Sequence, residues 1–133
     1  MKGLDTNILL RFLLKDEPRQ AKAARAVIAK AIADNDPSCI CLLTVLEMEW
    51  VLRSRGGFDK AEIISTFKQL LEAKDLRFED EAVLEHGIYL YENSNAEFAD
   101  CLQVARYRAL GCSSMLTFDI KAGKLPGAEM LGA

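Results

Sequence analysis

The first apolar stretch, MKGLDTNILLRFLL, is interrupted by the polar triplet Asp5-Thr6-Asn7. Residues 1–5 read as a very short first strand. From Thr6 onward Ile8, Leu9, Phe12 and Leu13 recur at helical spacing on one face, predicting a short helix. Asp16-Glu17-Pro18 is a helix-start signal, because the fixed φ and missing N–H of proline suit a first turn. The helix it opens is expected to reach about residue 33 and stop at Asp34-Asn35-Asp36-Pro37. Residues 38–43 are a brief apolar run fitting a buried strand. A helix over 44–54 then ends at Gly56-Gly57. Another helix is expected over about 59–73, a strand over 76–78 and a helix over about 80–93. The remainder predicts a helix over 94–109 ended by Gly111, a strand over 112–116, a helical turn over 119–123 and a last strand over 128–131.

Strands alternating with helices predict an α/β sandwich with a mainly parallel sheet. Functional groups in such folds collect beyond the carboxyl ends of the strands. Acidic residues just after strands therefore carry more weight than acidic residues elsewhere. Asp5 follows the first strand, Glu47 lies one helical turn after the second, and Asp119 follows the strand over 112–116 with Thr117 and Phe118 between. Asp100 lies in the second turn of the helix expected from Ser94. Four carboxylates brought together repel, so they either raise their pKa values or bind cations. Oxygen-only donors favour a hard ion, Mg²⁺ or Mn²⁺.

Each carboxylate also has a purely structural reading. Asp5 and Asp119 are suited to capping the helical segments that follow them. Thr44-Val45-Leu46-Glu47 has the form of a capping box, although Trp50 and Val51 at i+3 and i+4 place Glu47 on an apolar face. Glu49, with Arg53 at i+4, is expected to be a solvated ion-pair partner. Ser94-Asn95-Ala96-Glu97 is a second capping box and accounts for Glu97. Asp100 lies past the capping positions, among Phe98, Cys101 and Leu102, and no structural role is left for its charge. Trp50 and Phe98 are expected in the core, and His86 on the surface or packed as an ordinary helical residue.

The 133 residues, half of them hydrophobic and 28% charged, suit one compact globular domain with a proper core. No apolar run is long enough to span a bilayer and no secretory leader is visible, so a cytoplasmic setting is the expectation. Cys39, Cys41, Cys101 and Cys112 lack the spacing of a disulfide framework and are expected as free, buried thiols. With one histidine in the chain and no ligand pair to complement Cys39 and Cys41, a structural zinc site is not supported. A net charge of −3 argues against affinity drawn from a broad basic surface. It does not exclude a nucleic-acid enzyme whose acidic site is neutralised by cations.

The segments LDTNILLRFLL, TVLEMEWVLR, EFADCLQVARYRALGC and LTFDIKAGKLPG, in that order, resemble the PIN-domain nucleases, most closely the VapC-like toxins of toxin–antitoxin pairs. The resemblance covers nearly the whole chain. It implies a three-layer α/β/α sandwich and a metal-dependent endoribonuclease whose acidic residues are Asp5, Glu47, Asp100 and Asp119. By the same resemblance Asn7 and Thr117 orient the carboxylates or a bound water. An RNA substrate, an inhibiting antitoxin protein and a homodimer are also implied. Such toxins often read Asp-Phe-Ala-Asp where this chain reads Glu97-Phe98-Ala99-Asp100, so a part for Glu97 at the metal is open. Divalent ions would polarise the scissile phosphate and activate a water for in-line attack. Arg11, Lys15, Arg53 and Lys121 are candidates for phosphate grip. Arg19, Lys22, Arg25 and Lys30 form a basic strip that reads more simply as a solvated helix face. Two other readings compete: a phosphatase with Asp5 as nucleophile, which normally needs an aspartate where Asn7 stands, and a non-catalytic interaction domain of the same fold.

Overall fold

The computed structural model describes residues 1–14 and 16–132. The chain gathers into two compact units, Met1–Glu79 and Asp80–Ala133.

In the first unit β1 (Lys2–Gly3), β2 (Ser38–Ile40) and β3 (Leu76–Phe78) form a parallel sheet in the order β1-β2-β3. Lys2 pairs with Ser38, and Ser38 with Leu76. The ladder runs one residue past the strands, through Leu4 N–H to Cys39 O and Glu79 N–H to Ile40 O, both 2.9 Å. Parallel neighbours need crossover connections. Here α1 (Thr6–Leu14) and α2 (Pro18–Ala33) link β1 to β2, while α3 (Leu42–Ser54) and α4 (Lys60–Glu72) link β2 to β3. Ile40 is fully buried at the centre of the sheet, with Leu9, Leu10, Val45, Met48, Leu52, Ile63 and Phe67 from the helices also buried. Pro18 opens α2 as the sequence predicts, and only Ala21 and Ala24 of that helix are fully buried.

The strand expected over 38–43 stops at Ile40, because α3 begins at Leu42 with Cys41 as its cap residue. The orphan N–H of Leu42 donates to Glu79 Oε1 at 2.9 Å. Thr44 is consequently inside the helix and the capping box with Glu47 does not form; the Thr44 hydroxyl instead meets Cys41 Sγ at 3.4 Å. A true capping box starts α4, where Asp59 Oδ1 accepts from Glu62 N–H and Glu62 Oε1 from Asp59 N–H.

The second unit contains α5 (Glu81–Glu92), α6 (Phe98–Ala109), β4 (Met115–Thr117), a 3-10 turn (Ala122–Lys124) and β5 (Ala128–Met130). β4 and β5 are parallel, with Met115 opposite Ala128 and Thr117 opposite Met130. Helix α6 begins at Phe98, not Ser94: Ser94 Oγ takes up Ala96 N–H in a local turn, and Glu97 becomes a cap residue with no side-chain bond. The second expected capping box is thus absent. At its other end α6 stops as predicted, at Gly111 with φ +93°. All described strand pairings are parallel, in keeping with the expected class, and they fall into two sheets.

The cysteines are free, as expected, but only Cys101 is buried; Cys41 and Cys112 are exposed. Phe98 lies in the core as predicted, its ring edge-on to Tyr91 at 5.3 Å between centroids. His86 is half-buried on α5, a packing position.

Helices α5 and α6 meet over Gly87, where a Cβ would stand 3.0 Å from Leu102 Cδ1 and 3.3 Å from Leu102 Cα. The leucine backbone has little room to retreat. Gly87→Val is therefore expected to lower stability by about 1–3 kcal/mol. In urea the unfolding midpoint should fall with an unchanged slope; an unchanged midpoint would refute the close approach.

Candidate active site

The end of β1 delivers the chain straight into α1. Leu4 is buried and held by Cys39, which leaves Asp5 exposed just beyond the strand. Asp5 Oδ1 accepts the N–H of the next residue, Thr6, at 2.8 Å, a local bond at the start of α1 that uses one carboxylate oxygen. Thr6 is 3% exposed, and its hydroxyl donates to Glu47 Oε2 at 3.2 Å. One buried threonine therefore ties the residue after β1 to the helix after β2. Asn7 is exposed, and its side chain makes no hydrogen bond among the described residues. Within this unit the positioning contact comes from Thr6.

Helix α3 buries Thr44, Val45, Met48, Glu49 and Leu52 along one arc. Glu47 lies on the opposite face, with Leu43 and Trp50, which are 77% and 49% exposed. The expectations of an apolar setting for Glu47 and a core position for Trp50 are thus corrected. Trp50 and Val51 do lie beside Glu47 at i+3 and i+4, but Glu47 and Trp50 face solvent and Val51 is half-buried. Glu49 pairs with Arg53 as expected, Nε to Oε2 at 2.8 Å, yet it is 3% exposed and not solvated. A carboxylate so deep in α3 is tolerated because the guanidinium compensates its lost hydration.

In the second unit Asp119 follows β4. Its Oδ1 accepts Ala122 N–H at 2.7 Å, which starts the 3-10 turn and fulfils the capping reading. Thr117 Oγ1 accepts Asp119 N–H at 3.0 Å and fixes the loop that presents the carboxylate. Asp100, half-buried in the first turn of α6, accepts no hydrogen bond among the described residues. Burial raises its pKa most, and the charges of Asp119 and then Glu97 push it further the same way. Glu97 is therefore coupled electrostatically to this group whether or not it ligates an ion.

The structure brings Asp5 and Glu47 to Thr6, and it brings Asp100 under the fields of Asp119 and Glu97. Among the described residues no three Asp, Glu, His or Cys side chains gather into a preformed metal cage. Asp5, Glu47 and Asp119 each spend an oxygen on a local donor. The donor chemistry nevertheless fits a hard divalent cation: carboxylate and hydroxyl oxygens, and in Asp100 a carboxyl whose like-charged neighbours would be relieved by positive charge.

The basic candidates differ in availability. Arg11 is bound to Asp16 and Gln20, which holds the Asp16 carboxyl below its ordinary range, and Arg53 is bound to Glu49. Lys121 is exposed, whereas Lys15 lies outside the described residues. Arg19, Lys22 and Arg25 are exposed on α2, and Lys30 pairs with Asp34, the pattern of a solvated face. Among the described residues no helix is long and apolar enough to cross a membrane.

Parallel strands with carboxylates beyond their ends, and oxygen donors alone, are the kind of arrangement that hard cations suit. Residues 3–127 match the PIN domain, and the chain belongs to that family. PIN domains are generally metal-dependent nucleases of three-layer α/β/α fold, the fold class that the family resemblance implies and that the alternation of elements accords with. The match spans residues of both compact units. Among curated proteins no match to the chain was found.

Because Asp100 binds its proton more tightly in the folded chain than in the unfolded one, its contribution to stability is largest at low pH. That contribution is lost as pH rises from the ordinary carboxylate range through the raised value. Without divalent cations, Asp100→Asn should therefore melt higher than the wild type at neutral pH, with the difference shrinking on acidification. Thermal melts in chelator across that range check this; a pH-independent difference, or a less stable variant at neutral pH, would contradict it.

Proposed function

We propose that this PIN domain is a Mg²⁺- or Mn²⁺-dependent endoribonuclease and the toxin component of a toxin–antitoxin pair. The observation that carries the nuclease reading is the state of Asp100. It is a half-buried carboxyl with no donor, pressed by Asp119 and Glu97, an arrangement costly in itself and useful once a cation is present. Asp5, Glu47, Asp100 and Asp119 are assigned to holding the metal, and the support differs for each. Asp5 and Glu47 are aimed by Thr6, Asp119 is aimed by its own turn and Thr117, and Asp100 has the perturbed environment. The ordered family pattern of the sequence joins the four.

The bound ion would supply Lewis-acid activation of the phosphate and a water of lowered pKa. The chain's own residues do the rest. Thr6 holds the Glu47 carboxylate from one side and leaves its second oxygen unused by that bond. Asp5 likewise keeps one oxygen uncommitted by the Thr6 N–H. Lys121, exposed two residues beyond Asp119, is placed for a phosphate of the RNA strand. Arg11 and Arg53 would first have to leave their carboxylates. The toxin assignment, with a cognate antitoxin protein as inhibitor, a homodimeric state and a cytoplasmic site of action, rests on the resemblance to VapC-like proteins. One nuclease domain over residues 1–133 is part of the same reading.

Purified protein should cleave RNA with Mg²⁺ or Mn²⁺ and lose activity in chelator. Asp5→Asn and Asp100→Asn should each lower the rate by about a hundredfold or more, as removal of an electrostatic stabiliser of a transition state does. Mapping new RNA ends after expressing wild type and Asp5→Asn identifies the target. Full activity in either variant would sink the site assignment.

A further inference from the structure

The half-exposed indole of Trp50 is unexplained by the fold. It lies at i+3 from Glu47, so the two side chains are neighbours on the solvent face of α3, with Cβ atoms about 5–6 Å apart. The Arg55 guanidinium lies over the ring, 5.5 Å from its centroid, and forms no ion pair among the described residues. A flat aromatic surface, a planar cation on it and a metal-class carboxylate one helical turn away thus share one stretch of helix.

We propose that Trp50 and Arg55 form a nucleobase platform, on which a base of the RNA strand stacks next to the phosphate that a cation at Glu47 would bind. This inference rests on the nuclease reading and deepens it by naming the side chains on which a base of the substrate stacks. An unpaired base presents the π-face that a lone indole and a guanidinium recognise, whereas bases inside a duplex are covered by their neighbours. Arg55 adds a cation that can stack and also meet the backbone.

A protein partner is the less fitting occupant of this face. Leu43 and Trp50 are its large apolar groups, two helical turns apart, and Glu47 stands between them. A surface covering both would bury the Glu47 carboxylate, which has one hydroxyl donor and no cationic partner among the described residues. A nucleotide bearing its own cation meets that carboxylate with a compensating charge.

Trp50 is the chain's one tryptophan, so its emission reports this position alone. The test uses Asp100→Asn protein, a fluorescein-labelled single-stranded oligoribonucleotide read by anisotropy, and the same RNA unlabelled as quencher. The expected result is quenching of Trp50 emission along the same curve as the anisotropy. In the otherwise wild-type enzyme, Trp50→Ala should raise KM by about tenfold with kcat nearly kept, and Trp50→Phe should restore most of the loss. Duplex RNA should quench less than the single strand. Binding and cleavage with unchanged Trp50 emission and an unchanged KM in Trp50→Ala would overturn the platform and leave the nuclease intact. Emission that shifts with protein concentration but not with RNA would overturn it in favour of a second copy of the chain. No cleavage by wild type and no binding would remove both readings together.

Discussion

The first unit depends on a parallel ladder only two to three residues deep, and most of its geometry follows from that shortness. With Lys2 opposite Ser38 and Ser38 opposite Leu76, the strands end almost level. Everything that leaves them at the carboxyl end is therefore delivered to one edge: Asp5 after β1, the start of α3 after β2, Glu79 after β3. The ladder is too short to hold the sheet by backbone bonds alone. The burial of Ile40 with Leu9, Met48, Leu52 and Phe67 does most of the work. The small bonds at the strand ends then set direction more than stability. Thr6 to Glu47 and Leu42 to Glu79 each link residues about forty positions apart, at the point where the chain turns from strand to helix.

The second unit is built on a different balance. Its helices are packed closely enough that Gly87 leaves no space against Leu102, and Phe98 and Tyr91 meet edge-on. Into this tight frame the chain introduces a carboxyl that the frame does not satisfy. Two structural acids show the alternative, Glu49 answered by Arg53 and Asp59 by the first turn of α4. Asp100 has two acidic neighbours in place of a donor. That contrast sets Asp100 apart from the acids whose charge the fold answers.

Much of the architecture was legible in the sequence. The helical periods, the Pro18 start and the Gly111 stop locate the elements, and the order of the family segments identifies the class. What sequence reading misjudged were local choices decided by distant residues. Thr44 and Ser94 both look like cap residues beside a glutamate three positions on. Nothing within those windows reveals that Glu79 will cap α3, or that Ser94 will close its own turn. Trp50 was misplaced for a related reason. Periodicity shows that Glu47 and Trp50 share a face, but the buried arc is fixed by Val45, Met48 and Leu52 packing into the unit's core. The carboxylate positions were legible because a charge past a strand or inside a helix is visible without knowing its neighbours. Their donors were not.

Strand length has one more consequence, for how the protein behaves when crowded. Sheet edges with unpaired N–H and C=O groups are templates on which other chains add strands and aggregate. Of the two outer strands of the first sheet, β1 offers two residues, one of them the exposed Lys2, and β3 offers three, with the exposed Arg77 at its middle. β5 likewise offers three, with the exposed Glu129 at its middle. Segments this short and interrupted by charge are poor seeds for cross-β stacking, which calls for six or seven uncharged residues. The economy that aligns the carboxylates thus also guards the chain against polymerising through its strands.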